Sequence, residues 1–171
     1  MSKKIVITGG IGYIGTELCK IYSGISWNNE VLVIDNRFIS ERVNQLRNWG
    51  INYIHGDILD KNLINKHCKD ADVVHHLAGI TDVPRVKRES NTEKDLQIKL
   101  IGEEGTQNIL DAISDNCKII FPSTHVVYEG IEKIKNDILE DEDTKPLLSY
   151  AKSKAANEEQ LKNSKKNYII L

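Results

Sequence analysis

The chain opens on a short apolar strand, Lys4 to Thr8, that runs straight into Gly9-Gly10-Ile11-Gly12-Tyr13-Ile14-Gly15. Glycines spaced this way, after a buried strand and before an amphipathic segment, leave few folds open. Glycine removes the Cβ, which permits a tight turn and lets a pyrophosphate approach backbone N–H groups. The following helix, Tyr13 to Tyr22 with Ile14, Leu18, Ile21 and Tyr22 on one face, aims free N–H groups and a positive dipole end at the phosphates. A second apolar run, Glu30 to Asp35, places Asp35 twenty positions after Gly15, where a carboxylate accepts hydrogen bonds from adenosine ribose hydroxyls. Together these features predict a dinucleotide site. The Asp35 carboxylate repels a 2′-phosphate and so favours NAD over NADP. Arg37, two residues on, is placed to soften that preference.

Strand-like and helical runs alternate from there to the end. Helices are predicted over Ser40 to Trp49, ended by Gly50, over Asp60 to Cys68 with Asp60 as N-cap, over Glu93 to Ile113 and over Ser149 to Lys162. Strands are predicted over Asn52 to His55, Asp72 to Leu77, Lys118 to Phe121 and Tyr168 to Leu171. Such alternation means an α/β fold, with parallel strands joined by crossover helices in a doubly wound sheet. Right-handed crossovers predict the strand order 3-2-1-4-5-6. The acidic, irregular stretch Glu129 to Lys145 reads as a surface loop near the open end of the sheet.

Composition narrows the partners. A net charge of −2 over 171 residues offers no field for nucleic acid or an anionic membrane surface. The N-terminal Met1-Ser2-Lys3-Lys4 faintly imitates a signal peptide, but glycines interrupt its apolar core. No apolar run is long enough to span a bilayer. Cys19, Cys68 and Cys117 are widely spaced, without CxxC or Cys/His metal spacing, which reads as reduced, buried thiols in a cytoplasmic protein and no metal site. His75 and His76 read as packing or backbone-bonded histidines rather than ligands.

The chemistry lies in the second half. Tyr150 and Lys154 form a Tyr-x-x-x-Lys pair on one helix face. An ammonium beside a phenol stabilises the phenolate and lowers its pKa toward neutrality, which makes tyrosine a usable general acid/base. Phe121-Pro122-Ser123-Thr124 brings hydroxyls to the carboxyl edge of the sheet, where that helix also begins.

With these motifs together, the chain resembles an extended short-chain dehydrogenase/reductase of the NAD-dependent epimerase/dehydratase family, nucleotide-sugar epimerase-like in character. The resemblance rests on Thr8 to Gly15, Asp35-Asn36, Gly56-Asp57-Ile58, His76-Leu77-Ala78-Gly79, Gly105-Thr106-Gln107-Asn108, Ser123 to Tyr128 and Tyr150-Ala151-Lys152-Ser153-Lys154. It implies a Rossmann-type domain over residues 1–171 that stops in its sixth strand and lacks the C-terminal substrate domain. It implies that Gly9, Gly12 and Gly15, with Tyr13 and Ile14, carry the phosphate turn. Asp35 and Asn36 bind the adenosine ribose, Asp57 and Ile58 flank the adenine, and Leu77, Ala78 and Gly79 line the cofactor's middle. Ser123 supports the site, Thr124 hydrogen-bonds the substrate oxygen, Tyr150 moves its proton, and Lys154 also holds the nicotinamide ribose.

Two departures stand out. Gly102 occupies a position where the family often has asparagine, so a contact is missing or replaced. His125-Val126 follows Thr124 where sugar 4,6-dehydratases usually carry Asp-Glu, which counts against dehydration, and His125 either faces the substrate or is solvated. The implied activity is transient oxidation at C4 of a nucleotide sugar by bound NAD. The alternatives are NAD(P)-dependent ketone/alcohol redox or sugar-nucleotide dehydration in the same family, or a non-catalytic dinucleotide-binding module. The resemblance also implies a small-molecule substrate and a possible homodimer formed through the helices around Leu100 to Ile113 and Tyr150 to Leu161.

Overall fold

A computed structural model describes residues 2–25, 29–81, 92–132 and 136–171. Its elements are β1 (Lys4–Thr8), α1 (Tyr13–Gly24), β2 (Glu30–Asp35), α2 (Ser40–Asn48), β3 (Asn52–His55), α3 (Lys61–Cys68), β4 (Val73–His76), α4 (Thr92–Ala112), β5 (Lys118–Phe121), α5 (Ser149–Asn163) and β6 (Asn167–Ile170). The strands form one sheet in the order β3-β2-β1-β4-β5-β6, and each neighbouring pair is parallel. This is the expected doubly wound order.

Burial on both faces explains the unbroken apolar runs of β1 and β2, since a strand covered on each side has no polar face to display. Ile5, Ile7, Val31 and Val33 point to one side and pack with Cys19 of α1 and Leu46 of α2. Val6, Leu32 and Ile34 point to the other and pack with Ile64 and Cys68 of α3, Ile109 of α4, Cys117 before β5, and Leu161 of α5. The order reverses between β1 and β4. Helices before and after that reversal therefore lie on opposite faces, and their loops part at the carboxyl edge to leave a crevice.

Local chemistry sets the element ends. Asp60 caps α3, its carboxylate accepting from the N–H groups of Asn62 and Leu63 at 3.0 Å each. The regular part of β4 is shorter than Asp72 to Leu77, although the Leu77 N–H still donates to the Thr8 carbonyl at 3.1 Å as the chain leaves the sheet. The loop after Glu129 is tied at its base, Gly130 N–H donating to Lys145 O and Lys145 N–H to Val127 O. Residues 133–135 of that acidic stretch, and Met1, lie outside the described residues.

His75 and His76 are buried and packed against Tyr22 and Phe121, the first of the two expected alternatives, and their ring nitrogens meet side-chain hydroxyls. Tyr22 Oη meets His75 Nε2 at 2.7 Å, while His76 sits between the Thr8 and Thr106 hydroxyls at 2.9 and 3.0 Å. The parallel ladder already uses the backbone groups around β4, so side-chain hydroxyls are the partners left. Among the described residues, no group of three His, Cys, Asp or Glu is placed to hold a metal ion, and no helix is long and apolar enough to cross a membrane.

Candidate functional site

A cleft of about 470 Å³ opens along the carboxyl edge of the sheet. At one end lies the glycine turn. Gly9 has φ +70°, and a Cβ there would stand 2.7 Å from the Ala78 nitrogen. At Gly15 a Cβ would meet the Gly10 Cα at 2.6 Å, so β1 and α1 approach only without side chains. α1 begins at Tyr13 after Gly12, which supplies no side-chain cap, and Thr16 N–H is the first to reach a helical acceptor, Gly12 O at 2.9 Å. The N–H groups of Tyr13, Ile14 and Gly15 thus lack intrahelical partners at the cleft wall, a cradle suited to a pyrophosphate.

Asp35 ends β2 on the cleft wall with a buried carboxylate. It accepts from the Ile11 N–H at 3.2 Å and the Arg37 N–H at 3.0 Å, and it pairs with the Arg37 guanidinium, Nε lying 3.3 Å away. Arg42 donates to the Ile11 carbonyl on the outer side of the same turn. Asn36 donates to Asp57 Oδ2 at 3.0 Å, while Asp57 Oδ1 accepts from the Leu59 N–H at 2.9 Å. Ile58, held by the Asn108 amide donating to its carbonyl at 3.0 Å, closes the wall.

The middle of the cleft is Leu77, Ala78 and Gly79. Ala78 N–H donates to Thr8 Oγ1 at 3.3 Å, which ties the cleft floor to the buried Thr8–His76–Thr106 bridge. Burial, aided by the Lys154 charge, pushes the His76 imidazole down to about 3. It stays neutral, a donor on one nitrogen and an acceptor on the other.

At the far end stand Ser123, Tyr150 and Lys154. Glu129 fixes the entry to α5, its carboxylate accepting from the Leu147 and Leu148 N–H groups at 2.7 Å each. Thr124 acts on Tyr150 in favour of its phenolate form. Thr124 Oγ1 accepts from the Val126 N–H at 3.4 Å and starts the 3-10 turn His125–Tyr128. The charge states differ from the expectation. Burial raises the Tyr150 phenol above its ordinary value, opposed by Thr124. Burial lowers Lys154 to about 8, opposed by Glu158. The predicted lowering of the Tyr150 pKa by Lys154 is absent in the free chain, because the ammonium donates to the Pro122 carbonyl at 2.7 Å and sits 4.2 Å over the Phe121 ring.

The cleft thus brings together Gly9, Gly12, Tyr13, Ile14, Gly15, Asp35, Asn36, Asp57, Ile58, Leu77, Ala78, Gly79, Ser123, Tyr150 and Lys154. Thr124 is partly buried and follows Ser123 outside the cleft lining, and His125 is exposed outside it. Sequence reasoning missed Ile101 of α4 and Pro122, which line the cleft, and Glu158, which accepts from the Ser123 hydroxyl. The four-residue step from Lys154 to Glu158 was the available signal. Gly102 has a structural explanation. A Cβ there would overlap the Ser153 hydroxyl, while Asn157 Nδ2 donates to the Gly102 carbonyl at 3.0 Å, so a backbone contact to α5 replaces a side chain.

The profile of the 3-beta hydroxysteroid dehydrogenase/isomerase family matches residues 6–169. The chain belongs to that family. The epimerase/dehydratase resemblance of its motifs agrees with its relatives. It is 33% identical over 143 residues to a CDP-paratose 2-epimerase of Salmonella typhi, covering 77% of this chain and 40% of that protein. It is 33% identical over 130 residues to a UDP-N-acetyl-alpha-D-glucosaminuronate decarboxylase of Bacillus cytotoxicus, covering 75% of this chain and 38% of the relative. Among solved structures, the UDP-N-acetylglucosamine 4-epimerase of Methanobrevibacter ruminantium M1, in complex with UDP-N-acetylmuramic acid, superposes with a TM-score of 0.80 at 27% identity, over 99% of this chain and 54% of that one. A UDP-glucuronic acid 4-epimerase from Bacillus cereus, in complex with UDP-glucuronic acid and NAD, gives 0.76 at 27% identity, over 98% and 55%. The chain therefore spans about half the length of these relatives or less.

Proposed function

We propose that residues 1–171 are the cofactor-binding part of an NAD-dependent nucleotide-sugar epimerase. One observation carries the reading. A single cleft joins the glycine turn and Asp35 at one end to Tyr150 and Lys154 at the other. The open cradle at Tyr13 to Gly15 and the buried acid beside it fit NAD, which when bound supplies a reversible hydride acceptor. Gly9, Gly12 and Gly15 admit the pyrophosphate. Asp35 and Asn36 take the adenosine ribose, and Asp57 and Ile58 flank the adenine. Lys154 would hold the second ribose. Thr124 orients the sugar C4 oxygen, and Tyr150 removes the C4 hydroxyl proton and returns it after the 4-keto sugar has turned over. The rest of the substrate pocket comes from chain outside these residues. The free, buried cysteines suit a cytoplasmic setting, and the packed pair α4 and α5, with Leu96 and Leu100 exposed, offers the face for a homodimer.

Replacing Tyr150 by Phe in a version with the full relatives' length tests the reading. Epimerisation of nucleotide sugars should fall at least about 100-fold, the range for loss of a general acid/base, and unchanged turnover would sink it. The hydroxysteroid dehydrogenase name of the matching family favours a second reading, net alcohol/ketone oxidation. Net accumulation of reduced cofactor during turnover would select it, since an epimerase returns its hydride.

A further inference from the structure

Tyr150, Lys154, Glu158 and Lys162 follow one another at four-residue steps along one face of α5. The first two belong to the site, and the third is a buried carboxylate with no role in it so far. Glu158 Oε1 accepts from the Ser123 hydroxyl, and Oε2 faces Lys162 Nζ at 3.6 Å. Ser123 is also held from the other side, its N–H donating to the Leu171 carbonyl at 2.8 Å. Pro122, just before it, is held by the Lys154 ammonium. The segment that ends in Thr124 is therefore clamped to α5 twice, once by Lys154 and once by Glu158.

We propose that Glu158 is a positioning residue for the candidate site: its carboxylate anchors the strand-end segment that carries Thr124 and supplies the charge that balances the buried Lys154 ammonium one turn away. The inference rests on the reading of Thr124, Tyr150 and Lys154 as the reacting end. Its electrostatics follow from what faces Lys154. On β4 there is His76, held neutral; at the end of β5, the Phe121 ring and the Pro122 carbonyl; on α5 itself, the protonated Tyr150 phenol. Tyr128 of the 3-10 turn and Lys162 face Glu158 rather than Lys154. Among the described residues, Glu158 is the one group acting on Lys154 that favours its charged form, against a burial effect that disfavours it.

The experiment is a titration of the NAD-free chain labelled at lysine 13Cε, with Lys154 assigned by its absence in Lys154→Arg. In Glu158→Gln the Lys154 midpoint should drop by about one pH unit, a tenfold loss of ammonium relative to amine above it. In Ser123→Ala that midpoint should stay, while the Val126 amide, tied to Thr124, exchanges at least about fivefold faster. A purely packing role for Glu158 would not move the Lys154 midpoint. If Glu158→Gln does not fold, Glu158→Asp, which withdraws the charge by one methylene, should give a smaller drop in the same direction. An unmoved midpoint in a folded Glu158 variant, or unchanged Val126 exchange in Ser123→Ala, overturns the proposal. Neither readout uses NAD. Failure of the wild-type chain to bind NAD would count against the proposed function and leave this inference standing.

Discussion

At the end of the cleft proposed for adenosine the groups are fixed by backbone; at the end proposed to react the positions are set but the charges are not. Asp35 is buried and already held by the Ile11 and Arg37 N–H groups, and the turn beside it is shaped by Gly9 and Gly15. Tyr150 and Lys154 share a face of α5, yet the phenol is raised by burial and the ammonium is occupied by Pro122 and Phe121. A backbone cradle can be rigid before its ligand arrives, because its donors are fixed by secondary structure. A side-chain proton relay depends on local charge, which an arriving ligand alters.

If the adenosine end is made of backbone, its failure should be all-or-none. Gly9→Val forces a β-branched residue to φ +70° against Ala78, and it should destabilise the chain by roughly 3 kcal/mol or more and remove NAD binding. Urea unfolding and calorimetric titration check both, and a stable, NAD-binding variant would break the comparison.

The His76 bridge lies between the two ends and sharpens it. The folded His76 is lowered from 6.5 to about 3, so the unfolded chain takes up the proton first. Its contribution is fully present above pH 6.5 and is lost as pH falls from there toward 3. Between pH 7 and pH 4.5 that loss is on the order of 2–3 kcal/mol. His76→Asn should be less stable than the parent at pH 7 and have a flatter pH dependence in urea melts. Parallel curves for the two proteins would remove the buried neutral histidine from the account.

The smallest effect concerns Arg37, a half-exposed side chain on a buried acid. Arg37→Ala should leave NAD affinity within about threefold, since the N–H groups still hold Asp35, and should weaken NADP more, since a cation near the ribose is lost. Equal changes for both cofactors would mean that Arg37 does not tune this end at all.

Much of the fold was legible because it is written in local periodicity. The runs over Glu30 to Asp35, Asn52 to His55 and Lys118 to Phe121 are strands with those bounds, and the alternation carried the sheet order. The cleft residues near the glycines were legible for the same reason: a turn and a strand end are short-range features. What escaped was contact between distant segments. Ile101 reaches the cleft from the middle of a long helix whose pattern marks only its buried face. The hold of Pro122 on Lys154, and with it the state of Tyr150, joins residues 32 apart through a carbonyl that every residue type possesses. Gly102 looked like a lost contact because the Asn157 amide that bonds to its carbonyl lies 55 residues away.

The cysteines give the two hydrophobic layers separate reporters. Cys19, on the buried face of α1, lies on one side of the sheet, and Cys68 and Cys117 lie on the other. Burial pushes their thiols up to about 12, 12 and 11, so the folded protein presents almost no thiolate to an alkylating reagent. Labelling then requires opening, and each site clocks the opening of its own layer. Mass spectrometry of a timed alkylation would show whether the two faces of the sheet come apart together or one after the other.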